Sequence, residues 1–206
     1  MDKSTGFVPQ DKNVFNLTGP STLAREINTD VSDVLNSFTN AKKICKSSKH
    51  IIMQYKICHR IISCKEYLFR TKISATDRCY NCNLRDTIEH YFVSCPLSNH
   101  LWSDIQTWYN NTMGHNITLS SKLIILGSHP KNPPLANVIL HGKWYIYKCK
   151  TSKTKIDLKG FKNEFRQQSN IEKLGTLLNK SKNAINKHNQ LWAPLIQEAK
   201  ISLVTS

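Results

Sequence analysis

Apolar residues recur at helical spacing along most of the chain, and this pattern predicts a mostly helical protein. The first strongly periodic segment, Ile51 to Ser63, is predicted to be an amphipathic helix with a basic outer side. Pro96 to Tyr109 is predicted to be a second helix, whose buried stripe comprises Leu97, Leu101, Ile105 and Trp108. Leu135 to about Lys150 is predicted to be a third, with Asn132 as its N-cap and Pro133 as its first helical residue.

The same spacing assigns sides to these helices. In the first helix, Tyr55 and Ile61 fall on the buried side and Arg60 on the solvent side. In the third, His141 and Trp144 fall on the exposed side, together with Asn137 and Lys148. An exposed Trp suits stacking on a nucleobase or ribose, and it suits equally well the covering of a neighbouring element.

The rest of the chain gives weaker signals. A weak helix is predicted from about Ser21 to Phe38, inside a polar region expected to be a loosely attached arm. Leu123 to Leu126 reads as a short strand or one helical turn. In the tail, a seven-residue repeat links Ile171, Leu178, Ile185 and Trp192. The predicted organisation is a loosely ordered arm (1–48), a helix-zinc knuckle-helix module (49–112), a linker (113–132) and a basic helical C-terminal extension (133–206).

Charge narrows the choice of partners. The chain has 29 Lys and Arg against 14 Asp and Glu, which gives a net charge of +15 and a pI near 9.6. This favours RNA or DNA as the partner, although ribosome-associated and membrane-surface proteins share the property. No apolar run reaches the ~20 residues that a membrane span needs. The N-terminus lacks an apolar leader, so a soluble protein of the nucleus or cytoplasm is expected.

Four metal-ligand residues lie within a short stretch: Cys79, Cys82, His90 and Cys95. The two-residue gap between the first two thiols lets a tight turn present both to one ion, so the spacing predicts one structural zinc. Asp86 and Glu89 have the spacing of a capping box that starts a helix from Thr87 to Val93. Ordinary buried cysteines and disulfides are the alternatives, but the cysteine count, seven, is odd.

The sequence contains no recognised catalytic pattern. It has neither a Gly-rich phosphate loop nor an Asp-Asp pair for a two-metal polymerase site. Four protein ligands leave no open position on zinc for a catalytic water. Asp157 and Glu164, with lysines around them, are the only carboxylates that suggest a nuclease, and their spacing reads as coincidence in a Lys-rich helix. A non-enzyme without a small-molecule substrate is therefore expected.

The string from Gln54 to Trp102 resembles the zinc-binding segment downstream of the reverse transcriptase in LINE-type, non-LTR retrotransposon polyproteins. The resemblance implies that the four residues are zinc ligands of a CCHC site and that Phe92 packs between them. It further implies a segment that helps to hold template RNA or target DNA. Ile139 to Cys149 resembles the C-terminal extension of such polyproteins. The fingers and the catalytic palm have no counterpart, so the chain is expected to be a C-terminal fragment of such an element.

Three hypotheses follow. The first is a zinc-stabilised nucleic-acid-binding module, whose contact residues are Lys56, Arg60, Arg70, Lys72, Arg78 and Arg85 around the knuckle, with Trp144 and Lys148 in the extension. The second is a zinc-stapled scaffold in which Trp102, Trp144 and Trp192 mark surfaces that dock on polymerase domains of the same element. The third is an enzyme, either a degenerate nuclease or a subunit that completes a polymerase in trans.

Overall fold

The computed structural model describes residues 19–127, 132–178 and 182–196. Helices dominate these ranges, and no strand forms within them. In chain order the helices are α1 (Pro20–Glu26), α2 (Val31–Ile44), α3 (Ser48–Cys58), α4 (Lys65–Arg70), α5 (Pro96–Met113), α6 (Ser121–Leu126), α7 (Pro133–Ser152), α8 (Leu158–Leu178) and α9 (Lys182–Ile196), with one π-helical turn at His90–Ser94. The predicted mostly helical fold is confirmed. No described helix is long and apolar enough to cross a bilayer.

Residues 19–48 pack into the core, so the prediction of a loosely attached arm is wrong for them. The single helix expected there is two helices, α1 and α2, separated at Asn28, whose φ of +49° is left-handed. Leu23 and Val34 are 2% and 0% exposed and join the main hydrophobic cluster. Polar residues dilute the apolar pattern here, yet a few well-placed side chains are enough to fix the segment. Residues 1–18 lie outside the described part of the chain.

Helix α3 ends at Cys58, before the predicted end at Ser63. Arg60 has φ +56°, and a left-handed residue stops a helix. Residues 59–63 therefore do not follow helical spacing, and their predicted sides are wrong: Ile61 is 37% exposed and Arg60 is buried. Tyr55 is also exposed, because the inner face of α3 includes two polar residues, His50 and Gln54, which an apolar pattern does not identify.

Helices α5 and α6 lie on either side of Gly114. Pro96 occupies the first turn of α5 as predicted, and its stripe is confirmed by the burial of Leu101, Ile105 and Trp108. The segment that read as a strand or a helical turn is α6, so the short strand is excluded. The Ser120 hydroxyl accepts a hydrogen bond from the Leu123 amide, and Gly127 ends α6 with φ +61°.

Helix α7 crosses the centre of the molecule and packs on α2, α3, α5, α8 and α9. It begins as predicted, because Asn132 Oδ1 accepts from the Leu135 amide at 3.1 Å and Pro133 is the first helical residue. Gly142 allows a close approach to α5: a Cβ atom there would lie 2.5 Å from the indole of Trp102. The central position of α7 depends on this missing side chain.

The side of α7 predicted to face solvent is buried in its first half, whereas Trp144 is half-buried and Lys148 is exposed. Asn137 and His141 are 0% and 4% exposed, and the His141 ring packs edge-on against Phe165 and Trp192. These rings come from α8 and α9, which cover the polar side of α7. The spacing of α7 alone could not reveal that two later helices pack there.

The seven-residue repeat of the tail does not form one seam. Trp192 of α9 is buried, but Ile171 and Leu178 of α8 are 63% and 82% exposed. The buried stripe of α8 runs instead through Phe161, Phe165, Ser169, Glu172 and Thr176. Its last three positions are polar, which is why an apolar repeat missed them.

The hydrophobic core continues across the predicted segment boundaries. One cluster contains Leu23, Ile57, Trp108, Ile125 and Ile146, which come from all four predicted segments. The linker residues that the structure describes include α6, whose Ile124 and Ile125 are buried in this cluster. The boundaries stay a prediction, but the packing joins the knuckle module to the C-terminal extension.

Candidate metal centre and its basic surroundings

The loop that carries the first two thiols is a tight turn. Arg78 and Arg85 form an isolated antiparallel β-bridge at its base. Inside it, the Cys79 amide donates to the Leu84 carbonyl at 2.7 Å, and the Asn83 amide donates to the Cys79 carbonyl at 2.9 Å. Asn83 has φ +58°, a conformation that asparagine adopts more readily than most residues. The backbone thus holds the thiol-bearing loop closed without a regular strand.

Thr87, rather than Asp86, caps the short helix that carries His90. Thr87 Oγ1 accepts from the His90 amide at 3.1 Å, which is an N-cap hydrogen bond. Asp86 Oδ2 instead accepts from the Lys65 amide at 3.0 Å and joins the start of α4 to the knuckle. Glu89 is exposed. The predicted helix is confirmed by helical residues 88–94, but the predicted capping box is wrong by one residue.

The four predicted ligand atoms converge on one point. Each lies within 4.8 Å of the other three. The Sγ atoms of Cys79 and Cys95 are 3.9 Å apart, and Cys82 Sγ is 3.2 Å from His90 Nε2. Zinc–sulfur bonds of about 2.3 Å in a tetrahedron place two sulfurs roughly 3.8 Å apart. These donors therefore fit one tetrahedral zinc ion, and four protein ligands make it a structural site.

Lys150 of α7 lies beside this site, a contact that the sequence did not predict. It is 4% exposed, and its Nζ donates to the Tyr91 carbonyl at 2.6 Å. Burial favours a higher pKa for the Cys95 thiol, but the Lys150 charge and hydrogen bonds from Leu97 and Lys150 hold that pKa below its ordinary value. Three thiolates and one Zn²⁺ carry a net negative charge, so a buried cation stabilises the loaded site.

Phe92 fixes the knuckle to the core. It is 0% exposed, as the resemblance implied, and its carbonyl accepts from Trp102 Nε1 at 2.6 Å. Ser98 Oγ donates to the preceding carbonyl, that of Tyr91, at 2.8 Å. Side chains of α5 thus satisfy two carbonyls of the π-helical turn, which lacks regular helical partners. Trp102 is itself 3% exposed, so it packs inside the protein.

Comparison with known proteins agrees with this geometry. Residues 25–102 match a family model described as zinc-binding in reverse transcriptase. This segment is therefore similar to the zinc-binding domain found in reverse transcriptases, and its cysteines and histidine fit a zinc site. The match extends from α1 into α5 and contains all four ligands. No curated protein and no solved structure matches the chain.

Two of the cations predicted to contact nucleic acid have internal partners. Arg60 is 9% exposed, and its Nη2 lies 2.9 Å from a Glu26 carboxylate oxygen and 3.5 Å from one of Glu66. Arg70 is exposed, but its guanidinium donates to the Arg60 carbonyl at 3.2 Å and lies near the ring of Tyr67. Arg60 therefore ties α1 to the start of α4 and is not available to a phosphate.

The cations on the zinc-binding domain surface are more accessible. Arg78 and Arg85 have side chains 57% and 63% exposed. Arg85 pairs with Glu66 at 3.1 Å and with Asp77 at 3.3 Å, whereas Arg78 lies 3.6 Å from the Asp77 carboxylate. Exposed pairs of this kind exchange partners at little cost. Lys72 is exposed, and Lys56 is half-buried on α3.

Trp144 and Lys148, the two contact residues predicted in the extension, differ in how far they are exposed. Trp144 is half-buried: its ring lies 5.6 Å from that of His50, and the Lys49 ammonium lies 5.4 Å from the indole. Lys148 is exposed and forms an ion pair with Glu164. Trp144 thus packs over α3. This is the covering of a neighbouring element, one of the two roles considered for it.

The carboxylates that suggested a nuclease are engaged elsewhere. Glu164 pairs with Lys148, and Asp157 Oδ1 accepts from the Gly160 amide at 2.7 Å at the start of α8. Within the described residues, neither belongs to a group of side chains able to hold a metal ion. The interpretation of this pair as coincidence agrees with these contacts.

Proposed function

We propose that the chain is a nucleic-acid-binding module in which zinc folds the knuckle and the surrounding surface holds template RNA or target DNA beside a reverse transcriptase. The family match supplies the setting, and the net charge of +15 supplies attraction to a polyanion. No polymerase site is attributed to this chain. Free thiols at all seven cysteines suit the nucleus or cytoplasm, where we propose that it acts.

The observation that carries the proposal is the composition of the surface between α4 and the knuckle. Cations and large apolar side chains alternate there, and the apolar ones are well exposed: Phe69 50%, Ile73 71%, Tyr80 52% and Leu84 57%. Single-stranded nucleic acid is bound by such a mixture, because cations follow the phosphates while aromatic rings stack on bases. Lys72 and Arg78 lie within the same stretch and are exposed.

The test is the salt dependence of binding to single-stranded RNA and to duplex DNA. Each lost phosphate contact lowers the slope of log affinity against log salt by about 0.7 on single strands and 0.9 on duplex DNA. Arg78→Ala with Arg85→Ala should flatten the slope by about two contacts. Neither side chain is a ligand, so the double variant should retain its zinc.

Lys173→Ala is the matched control. Lys173 is exposed on α8, which packs on α5, α7 and α9, and its loss removes one charge without touching the knuckle. The control should leave affinity and slope unchanged. If the arginine variant binds as tightly and as steeply as the parent chain, the knuckle does not contact nucleic acid. If only Lys173→Ala changes the slope, the contact lies on the C-terminal helices.

A scaffold role is the second candidate, and one observation favours it. Ile171, Leu174 and Leu178 of α8 are 63%, 62% and 82% exposed at helical spacing, which is typical of a protein-binding face. The tryptophans first assigned to this role do not fit it, because Trp102 and Trp192 are 3% and 1% exposed. Leu174→Glu should abolish binding to polymerase domains of the same element and leave oligonucleotide binding intact. Retained polymerase binding would exclude this face.

A further inference from the structure

Unpartnered polar atoms are concentrated in one part of the interior. Within the described residues, eight buried side-chain nitrogen and oxygen atoms have no hydrogen-bond partner, and six of them belong to His50, Asn137, His141 and Trp144. The last three lie on one stripe of α7, and His50 faces them from α3. A buried polar group without a partner is costly, so such a concentration indicates a bound species.

A buried thiol joins the two histidines. Cys45 Sγ and one nitrogen from each of His50 and His141 all lie within 4.8 Å of one another. These residues are 2%, 1% and 4% exposed, and the imidazole centroids are 4.1 Å apart. Packing leaves both His50 nitrogens and His141 Nε2 without a partner, and a metal ion would accept one lone pair from each imidazole. Cys45 Sγ has a long contact of 4.0 Å to the Ser47 carbonyl and is the third donor.

The hydrogen bonding of His141 has the form found at metal sites. Its Nδ1 is 2.9 Å from the Asn137 carbonyl, one turn earlier on α7. An N–H at Nδ1 donates to this carbonyl, which leaves the lone pair on Nε2, the buried nitrogen without a partner. A backbone carbonyl that fixes the tautomer and the ring is the usual support of a metal-binding histidine. Burial also keeps both imidazoles neutral, lowering the pKa of His141 to about 4.

We propose that Cys45, His50 and His141 form a second zinc site, distinct from the knuckle. One thiolate and two neutral imidazoles are donors that zinc prefers. Three protein ligands leave the fourth position to a water or small anion, as in other three-ligand zinc sites. Glu172 adds negative charge near Cys45, and the exposed Lys49 ammonium adds positive charge near both imidazoles.

The site has a structural role despite its open fourth position, because all three ligands are buried and come from distant parts of the chain. Cys45 directly follows α2, His50 lies near the start of α3, and His141 lies in the middle of α7. An ion held by all three links the N-terminal helices to the C-terminal extension. The knuckle zinc cannot do this, because its ligands all lie between positions 79 and 95.

The test is zinc stoichiometry in the full chain, purified without chelator and measured by mass spectrometry of the metal. The parent chain should contain two zinc ions. Cys45→Ala and His141→Gln should each retain one, held by the knuckle, and Cys82→Ser should retain the other. Cys64→Ala is the control: this thiol is equally buried but belongs to neither cluster, so two ions should remain.

X-ray absorption at the zinc edge tests the parent chain without any variant. The knuckle supplies three sulfur ligands and the interior site supplies one, so a chain with both sites averages about two sulfur ligands per zinc. The knuckle alone gives about three. One zinc per chain with three sulfurs overturns the proposal and indicates that water fills this part of the interior. Two zinc ions in Cys45→Ala overturn it as well. Both outcomes are independent of whether the chain binds nucleic acid.

Discussion

The two cysteine-histidine clusters are built in opposite ways. The knuckle takes four ligands from positions 79 to 95, of which Cys82 is half-buried and the other three are buried, and a local turn and a capped helix present them. The interior cluster takes three ligands from positions 45 to 141, all buried, and is assembled by the packing of α3 and α7. Metal binding and folding are therefore coupled differently. At the knuckle the ion closes a short loop that Phe92 attaches to the core, whereas the packing of distant helices brings the interior ligands together.

Loss of a knuckle ligand should have the largest effect. Cys82→Ser or His90→Ala removes one of four donors, and because zinc binding supplies the folding energy of such a loop, the knuckle should lose its zinc and unfold locally. Hydrogen exchange should show lost protection between positions 79 and 86. Helix α7 should remain protected, since it packs on five other helices. Exchange that rises equally in α7 would contradict the local character of the knuckle.

The difference between the clusters also explains what the sequence could reveal. The knuckle ligands were predictable because a local turn fixes their spacing, and the fold class followed from apolar periodicity. Lys150 and His141 were not predictable, because their roles arise from contacts with residues distant in sequence, such as Tyr91 and Trp192. Periodicity placed His141 on the solvent-facing side and gave no role to Lys150.

The same limit applies to the basic surface. Arg60 looked like a surface cation on the outer side of a helix, but the chain turns at that residue with φ +56° and buries it between Glu26 and Glu66. An arginine at helical spacing carries no mark that distinguishes an internal ion pair from a phosphate contact. Only the structure, in which α3 ends at Cys58, shows that Arg60 forms an internal ion pair.

Overpacking the interior should have the next largest effect. Gly142→Ala places a Cβ 2.5 Å from the Trp102 indole, so α5 and α7 must separate. We expect a loss of about 1–3 kcal/mol of unfolding free energy, measured by urea denaturation. Gly175→Ala on α8 is the matched control, since a Cβ there meets nothing within 4 Å. The control should stabilise by about 0.5–1 kcal/mol. Equal effects of the two variants would contradict the close approach.

Removal of the Lys150 charge should weaken the knuckle without abolishing it. Lys150→Met keeps the length of the side chain but leaves the negative zinc centre without its buried cation. We expect zinc affinity to fall about 10- to 100-fold, the usual effect of losing a group that supports a metal site. Competition with a chelator measures it. Lys148→Met, an exposed lysine on the same helix, is the control and should bind zinc as the parent chain does. Equal affinities would show that Lys150 serves only to bind the Tyr91 carbonyl.

The smallest expected effect on stability is at the exposed surface of the knuckle. Tyr80 is 52% exposed, so Tyr80→Leu should change the unfolding free energy by less than about 0.5 kcal/mol and retain full zinc content. Its effect on function should be larger, because an aromatic ring stacked on a base contributes about 1–3 kcal/mol to binding. We therefore expect the affinity for single-stranded RNA to fall at least about fivefold, measured by fluorescence anisotropy at fixed salt.

Leucine is chosen at this position because it keeps a branched apolar side chain and removes the aromatic face. Leu84→Ala, which shortens an equally exposed apolar neighbour on the same loop, is the control for general loss of apolar surface. If both variants lose affinity equally, the loop offers apolar contact rather than stacking. If neither does, the exposed ring serves another partner, and the nucleic-acid surface of the chain must rest on cations alone. If only Tyr80→Leu loses affinity for RNA, a base stacks on the zinc-binding loop.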